Sequence, residues 1–203
     1  MGVAGVLLGL LGGWIIGSQQ GVSRPAVPAP VQQQAAAPAG QAKPAAPALD
    51  ENRVAQLKTE ADRDPRNAAA RAQLGNLYFD SERFDEAARW YSAALDVDPR
   101  AVEVSTDLGI AYYYTNQPDK ALAQFEKSLA IDPTHSKTLL NVGVVRAWGK
   151  QDLDGAARAW ERVIEVAPRS EEAARAKQGL EGIRAAHPDA GRGGAAKPQG
   201  PSN

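Results

Sequence analysis

Four prolines divide the middle of the chain into segments of nearly equal length. Pro65, Pro99 and Pro133 are evenly spaced, and Pro168 lies one position beyond the place that the same spacing would give. The segments also resemble one another: LGNLYFDSERFDEAARWYSAALDVDP ends at Pro99, and LGIAYYYTNQPDKALAQFEKSLAIDP ends at Pro133. A repeat of this period predicts units that bury their apolar faces only by stacking on their neighbours.

Each unit contains two stretches with helical apolar spacing, joined by a polar turn. The turns read DSERF, TNQP and GKQDL, and we expect the extra residue of the third unit to lie in this middle turn. The proline then ends the second helix, because the residue before a proline avoids the α region. The pattern predicts helix pairs over residues 66–99, 100–133 and 134–168.

These units resemble the tetratricopeptide repeat (TPR) family, whose pattern runs leucine-glycine, tyrosine, alanine, an aromatic residue, a small residue and proline. The matching positions before the proline are Leu74-Gly75, Leu108-Gly109 and Val142-Gly143; Tyr78 and Tyr112; Ala87, Ala121 and Ala156; Tyr91, Phe125 and Trp160; Ala94 and Ser128. The third unit departs from the pattern at Arg146 and Val163. The resemblance implies an all-α fold, a right-handed superhelix of three helix pairs with a concave face. We expect the small residues to allow close helix packing, and the aromatic residue to fill the layer between units.

Both ends of such a stack need covering. Residues 50–63 have an apolar side and predict one cap helix. Residues 170–186 predict another, since Ser170 followed by two acids favours a helix start. The predicted TPR domain is therefore residues 50–187, with eight helices.

Residues 1–20 predict a single transmembrane anchor. Residues 2–17 have no charged side chain, although this stretch is shorter than the roughly 20 residues that a span prefers. A cleaved signal peptide is the alternative, but the stretch lacks a basic start and a clear cleavage site. Gly5, Gly9, Gly13 and Gly17 form one narrow face, typical of helices that pack in lipid, although glycine is common in membrane helices generally.

The segments on either side of the predicted domain have compositions typical of disorder. Residues 21–49 are rich in proline, alanine and glutamine and predict a disordered linker. A spacer is the simpler interpretation, and a proline-rich ligand for small recognition domains is the alternative. Residues 188–203 predict a disordered tail.

The sequence offers no candidate catalytic centre. The chain has no cysteine, which excludes thiol nucleophiles and thiolate metal sites, and its formal net charge of −1 does not favour a nucleic-acid partner. GVVRAWGK at residues 143–150 lacks the spacing of a phosphate loop. We therefore expect no enzyme activity, no cofactor and no metal.

The TPR resemblance instead implies a peptide-binding groove lined by the first helix of each unit. The positions that the resemblance places there are Gln73, Asn76, Phe79 and Asp80; Glu103, Asp107, Ile110, Tyr113 and Tyr114; Lys137, Asn141, Val144 and Trp148. Asparagines bond both N–H and C=O groups of an extended peptide, and aromatic residues are typical anchors. For Tyr113 and Trp148, packing between units is the alternative. Asn76 and Asn141 fit the clamp with which some family members hold a C-terminal carboxylate, but of its basic residues only Lys137 is in place. We therefore expect an apolar or mixed peptide.

Three functions of different kinds follow. The first is a membrane-tethered interaction module acting as adaptor or assembly factor for a protein partner. The second rests on a resemblance of AARAWERVIEVAP to the TPR parts of haem lyase subunits in c-type cytochrome maturation, and implies presentation of an apocytochrome. The third is a structural envelope component that forms homo-oligomers through the glycine face. The expected location is the bacterial inner membrane, single-pass, with the TPR domain in the periplasm.

Overall fold

The computed structural model describes residues 46–187, and these residues form helices without strands. The helices are α1 (Glu51–Arg63), α2 (Ala68–Asp80), α3 (Phe84–Leu95), α4 (Val102–Tyr114), α5 (Pro118–Ile131), α6 (Ser136–Val144), α7 (Leu153–Val166) and α8 (Glu171–Ala186), and a π turn (Val145–Gly149) continues α6. The predicted all-α fold is confirmed for this part of the chain. The predicted anchor with its glycine face, the tail and residues 21–45 of the predicted linker lie outside the described residues. Within the described range, no helix is long and apolar enough to cross a membrane.

Local chemistry sets where the helices begin. The side chains of Asp50, Asn67, Asp152 and Ser170 each accept a hydrogen bond from a backbone N–H in the first turn of the following helix. Such caps satisfy donors that have no partner within the helix. Where α5 begins, Pro118 occupies the first turn, a position that needs no backbone donor.

The extra residue of the third unit is not in the middle turn, contrary to expectation. The turns reach a positive φ at Glu82, Asn116 and Gln151, each at the same distance before the alanine of the TPR pattern in its unit. Gln151, however, lies one position farther from the glycine of its unit than Glu82 and Asn116 lie from theirs. The extra residue is therefore absorbed in the π turn, which adds a residue to a helix without changing the turn that follows.

The glycine of each first helix lies against the aromatic residue of the second helix. A Cβ on Gly75 would lie 2.4 Å from the Tyr91 ring, and one on Gly109 would lie 2.4 Å from the Phe125 ring. Phe125 also shares an apolar cluster with Val145 of the next unit. The aromatic residues thus pack both within and between units, whereas the sequence pattern predicted only the packing between units.

Trp160 is enclosed by glycines of two different helices. It is 1% exposed, and its indole N–H donates to the Leu140 carbonyl at 3.1 Å. A Cβ on Gly143 would lie 2.1 Å from one side of the indole, and a Cβ on Gly179 of α8 would lie 2.6 Å from its six-membered ring. The third unit and α8 are therefore packed around one side chain.

The ends of the helical stack bury apolar residues against their neighbours. Val54, Leu57 and Ala61 of α1 share a cluster with α2, α3 and α4. Ala173, Ala176, Leu180 and Ile183 of α8 share a cluster with α6 and α7. Burial of this apolar surface stabilises both ends of the stack.

Candidate functional site

The face formed by α2, α4 and α6, here the first-helix face, contains the positions predicted to line a groove. Thr106 of α4 and Thr138 of α6 are both 0% exposed, and their hydroxyl oxygens are 2.6 Å apart beneath this face. The Thr106 hydroxyl is also 2.8 Å from the Val102 carbonyl. Because buried hydroxyls need partners, this contact holds α4 and α6 in one register.

Charged residues link α4 and α6 at the surface above the threonine pair. Lys137 lies 2.8 Å from the Asp107 carboxylate and 3.2 Å from Glu103, and His135 Nε2 lies 2.8 Å from Glu103. Burial raises the pKa of Asp107 despite its bond to Lys137. Burial also opposes ionisation of Glu103, but bonds with His135 and Lys137 leave its pKa below its ordinary value. Lys137, the predicted basic residue of the face, is therefore already neutralised by two acids.

The predicted polar residues keep part of their hydrogen-bonding capacity. The Asn76 amide oxygen accepts from the Tyr91 hydroxyl at 2.9 Å, and the Asn141 amide N–H donates to the Lys137 carbonyl at 2.8 Å. Gln73, which is exposed, accepts from Arg53 of α1 at 2.8 Å. The Asn76 amide N–H groups and the Asn141 amide oxygen remain available to a ligand, since no contact occupies them within residues 46–187.

Phe79, Phe84 and Tyr114 form an aromatic cluster where the first two units meet. The rings of Phe84 and Tyr114 are stacked with centroids 4.4 Å apart, and Phe79 meets Phe84 edge-on at 5.1 Å. Tyr114 is nevertheless 58% exposed. Sequence reasoning missed Phe84, because it begins α3 and its counterpart in the second unit is Pro118, a residue with a capping explanation. Asp80, beside Phe79, is exposed.

The remaining predicted groove residues divide into packed and exposed. Ile110 and Tyr113 are half-buried and pack against the cluster of Ala121, Phe125 and Val145, and Val144 packs against the core around Trp160. Burial raises the pKa of Tyr113. Trp148 is 64% exposed, and its ring centroid lies 5.6 Å from that of Trp160. It belongs to the π turn that continues α6. The described residues contain no group of three or more side chains that could hold a metal ion.

Known proteins match this chain in its repeats. Residues 68–134 match a family model described as Tetratricopeptide repeat. No curated protein sequence gives a significant match.

Three solved structures are similar to this chain, and two of them are TPR domains. The first TPR of Spaghetti (RPAP3), bound to the HSP90 peptide SRMEEVD, is 28% identical over 61% of this chain and 94% of that one, with a TM-score of 0.55. The Sgt2 TPR domain from Aspergillus fumigatus is 26% identical over 68% of this chain and 89% of that one, with a TM-score of 0.56. MamA is 20% identical over 66% of this chain and 75% of that one, with a TM-score of 0.60, and shows likeness of fold.

The described helices have the repeated helix-pair architecture of TPR domains, and residues 68–134 match the tetratricopeptide repeat model.

Proposed function

We propose that this chain is a protein-interaction module that binds an extended segment of a partner protein on the first-helix face. The observation that carries the proposal is the combination of exposed Tyr114 and Trp148 with two sets of polar atoms that bond no described residue, the Asn76 amide N–H groups and the Asn141 amide oxygen. Amide groups that bond a peptide backbone hold it without specifying its sequence, and the aromatic residues supply anchor contacts. The peptide seen on the similar Spaghetti domain supports this use of the fold.

The charges on the face favour a partner segment without acidic residues. Lys137 is bonded by Asp107 and Glu103, and Asp80 is exposed near the end of α2. An acidic peptide would meet these carboxylates and would have to displace one of them from Lys137. An apolar or mixed segment, with or without a basic residue, avoids this repulsion.

Peptide display followed by affinity measurement tests the proposal. Peptides selected on the chain are measured by fluorescence anisotropy against a variant with Asn76, Tyr114, Asn141 and Trp148 changed to alanine. Tyr113 is left unchanged, because it packs against the core. We expect affinity to fall at least about tenfold, which corresponds to about 1.4 kcal/mol and is modest for two aromatic anchors.

The matched control carries Arg89→Ala and Glu126→Ala, two exposed changes on the second helices α3 and α5. This variant should bind as the unchanged chain does, and both variants should keep their helical circular dichroism. Equal affinity of the two variants, or failure to select any peptide, would refute binding on the first-helix face.

The finer proposal is that the module is tethered to a bacterial inner membrane by residues 1–20, with the repeats in the periplasm. The apolar composition of residues 2–17 supports it. Retention of the full chain in carbonate-washed membranes, and its release when residues 1–20 are deleted, is the expected result. Protease digestion of the repeats in spheroplasts, but not in intact cells, tests the orientation.

The partner identifies the role that such a module serves. Capture from solubilised membranes with the full chain, compared with the four-alanine variant, separates a general adaptor from an accessory subunit of cytochrome maturation. Recovery of apocytochrome or haem lyase subunits only by the unchanged chain supports the narrower role. Self-association lost on changing Gly5, Gly9, Gly13 and Gly17 to leucine supports the structural role.

A further inference from the structure

A second recess lies where α3, α4 and α5 meet, and its lining contains none of the residues assigned to peptide binding above. This cleft has a volume of about 290 Å³, and its lining includes Leu95, Asp96, Pro99, Ser105, Gln124 and Lys127. A space of this size holds several waters or one long side chain. The sequence pattern of the repeats gives no reason for it.

The cleft exists because of the small residue at position 105. The equivalent position is Arg71 in the first unit and Leu139 in the third. Leu139 is 7% exposed and fills its site with apolar atoms. Arg71 fills its own site and donates to the carbonyls of Asn67 at 2.9 Å and Ala61 at 3.4 Å. Ser105 is too short to do either.

The carbonyl that Arg71 reaches has a counterpart in the cleft. Ala61 lies four residues before Pro65, and Leu95 lies four residues before Pro99. Since proline has no N–H, neither carbonyl receives the helical bond it would otherwise accept. Arg71 supplies the missing donor to Ala61. The Leu95 carbonyl accepts no hydrogen bond from any residue between 46 and 187.

Gln124 provides a second acceptor inside the cleft. Its side chain is 8% exposed, and its amide N–H donates to the Ser105 hydroxyl at 2.7 Å. The Ser105 hydroxyl oxygen lies 2.8 Å from that of Ser128, which completes a buried polar group. No donor in the described range reaches the Gln124 amide oxygen, so this oxygen is left for whatever enters the cleft.

The surroundings of the cleft favour a cation with several N–H groups. Asp96 and Leu95 both line the cleft, and they lie at the C-terminus of α3, where the helix dipole is negative. A guanidinium offers five N–H donors in a planar fork, and its stem packs on apolar side chains such as Leu95. Lys127 also lines the cleft, but it is exposed, and its long side chain can keep the ammonium in water.

We propose that the cleft receives an arginine side chain from a partner polypeptide, in the place that Arg71 occupies in the first unit. The cleft lies beside α3 and α5 and involves no first-helix residue assigned to peptide binding above. The two surfaces allow one partner to be held on both faces, or two partners to be held at once.

Nuclear magnetic resonance of the full chain, labelled with ¹⁵N, tests the proposal directly. The probe is the capped peptide Gly-Arg-Gly, compared with the same peptide carrying citrulline and with free arginine. We expect saturable shifts of the Ser105 backbone amide and the Gln124 side-chain amide. Binding should be at least fivefold weaker with citrulline, and free arginine should bind no more tightly than the capped peptide.

Substitution of Ser105 gives the decisive comparison. Ser105→Leu fills the cleft with the residue of the third unit and should abolish the shifts, while the exposed change Glu126→Ala on α5 should leave them intact. Ser105→Arg should also block binding of the peptide and raise the melting temperature, because the chain then supplies its own guanidinium to the cleft. This variant replaces Ser105→Leu in the test if the leucine variant does not fold. Equal binding of arginine and citrulline peptides, tighter binding of free arginine, or binding retained by both filled variants would overturn the proposal.

Discussion

Gly143 offers a quantitative test of the packing in the third unit. In Gly143→Ala, the new Cβ would lie 2.1 Å from Trp160 Nε1, whereas ordinary contact begins at 3.4 Å. The indole would have to retreat by more than an ångström to relieve this overlap. It has no room to do so, because the opposite edge of the indole already packs against Gly179 so closely that a Cβ would not fit between them. The bond from Nε1 to the Leu140 carbonyl also holds the ring in place.

The free-energy cost follows from three terms. Overpacking a filled core costs typically about 1–3 kcal/mol. Breaking the indole hydrogen bond leaves a buried donor unpaired and costs about 1–3 kcal/mol. Alanine recovers about 1 kcal/mol as the better helix former. We therefore expect Gly143→Ala to lower the free energy of unfolding by about 3 kcal/mol, and the melting temperature by roughly 10 °C for a domain of this size.

Gly182 is the matched control, since a Cβ there would meet nothing within 4 Å. Gly182→Ala, in the interior of α8, should raise the free energy of unfolding by roughly 0.5–1 kcal/mol through helix propensity alone. Urea unfolding followed by circular dichroism measures both variants. If Gly143→Ala proves as stable as Gly182→Ala, the close approach of α6 and α7 does not depend on the missing side chain, and the packing argument is wrong.

Two further predictions concern single contacts. Tyr91→Phe removes the hydroxyl that bonds Asn76 but keeps the ring against Gly75. It should lower the free energy of unfolding in urea by about 1 kcal/mol. An unchanged urea midpoint would contradict a stabilising bond between Tyr91 and Asn76. Asp152→Asn keeps a cap for α7 but removes the ion pair with Arg146 at 2.7 Å, and should cost less than about 1 kcal/mol at neutral pH because the pair is partly exposed. The backbone N–H of Gly155, followed by Arg146, lowers the pKa of Asp152 below its ordinary value of 3.8. A carboxyl with a lowered folded-state pKa stabilises the fold above its unfolded pKa. The stability difference between the two proteins should therefore begin to shrink as the pH falls to 3.8 and should vanish once the pH has passed below the lowered folded-state pKa. A difference that does not shrink as the pH is lowered through this range would contradict the assignment.

Prediction from the sequence succeeded where the signal is local and repeated. Helical periodicity and the spaced prolines predicted the helix pairs, and Ser170 correctly marked the start of α8. The extra residue of the third unit was placed wrongly, because a polar turn tolerates an insertion at least as readily as a helix does. Phe84 was missed for a similar reason: its position at a helix start has an adequate local explanation, and only the fold brings its ring to Tyr114.

The candidate groove was predictable in position but not in exposure. The period of the repeat places Asn76 and Ile110 at equivalent positions of successive units. In the folded chain Asn76 is exposed while Ile110 packs against the core, because the side chains of the next unit differ. The repeat therefore identifies which side of a helix faces outward, and the neighbouring unit decides which residues on that side stay available to a ligand.

The sequence by itself determined that this chain stacks helix pairs, because periodicity, caps and prolines act within a few residues of one another. Only the tertiary structure decided that the third unit carries a π turn and that Ser105 leaves a cleft. Both depend on the space left between segments that are far apart in the sequence. Because protein interiors are close-packed, a change of one side chain decides whether such a space is filled or left as a cavity. A local sequence pattern does not contain the size of that space.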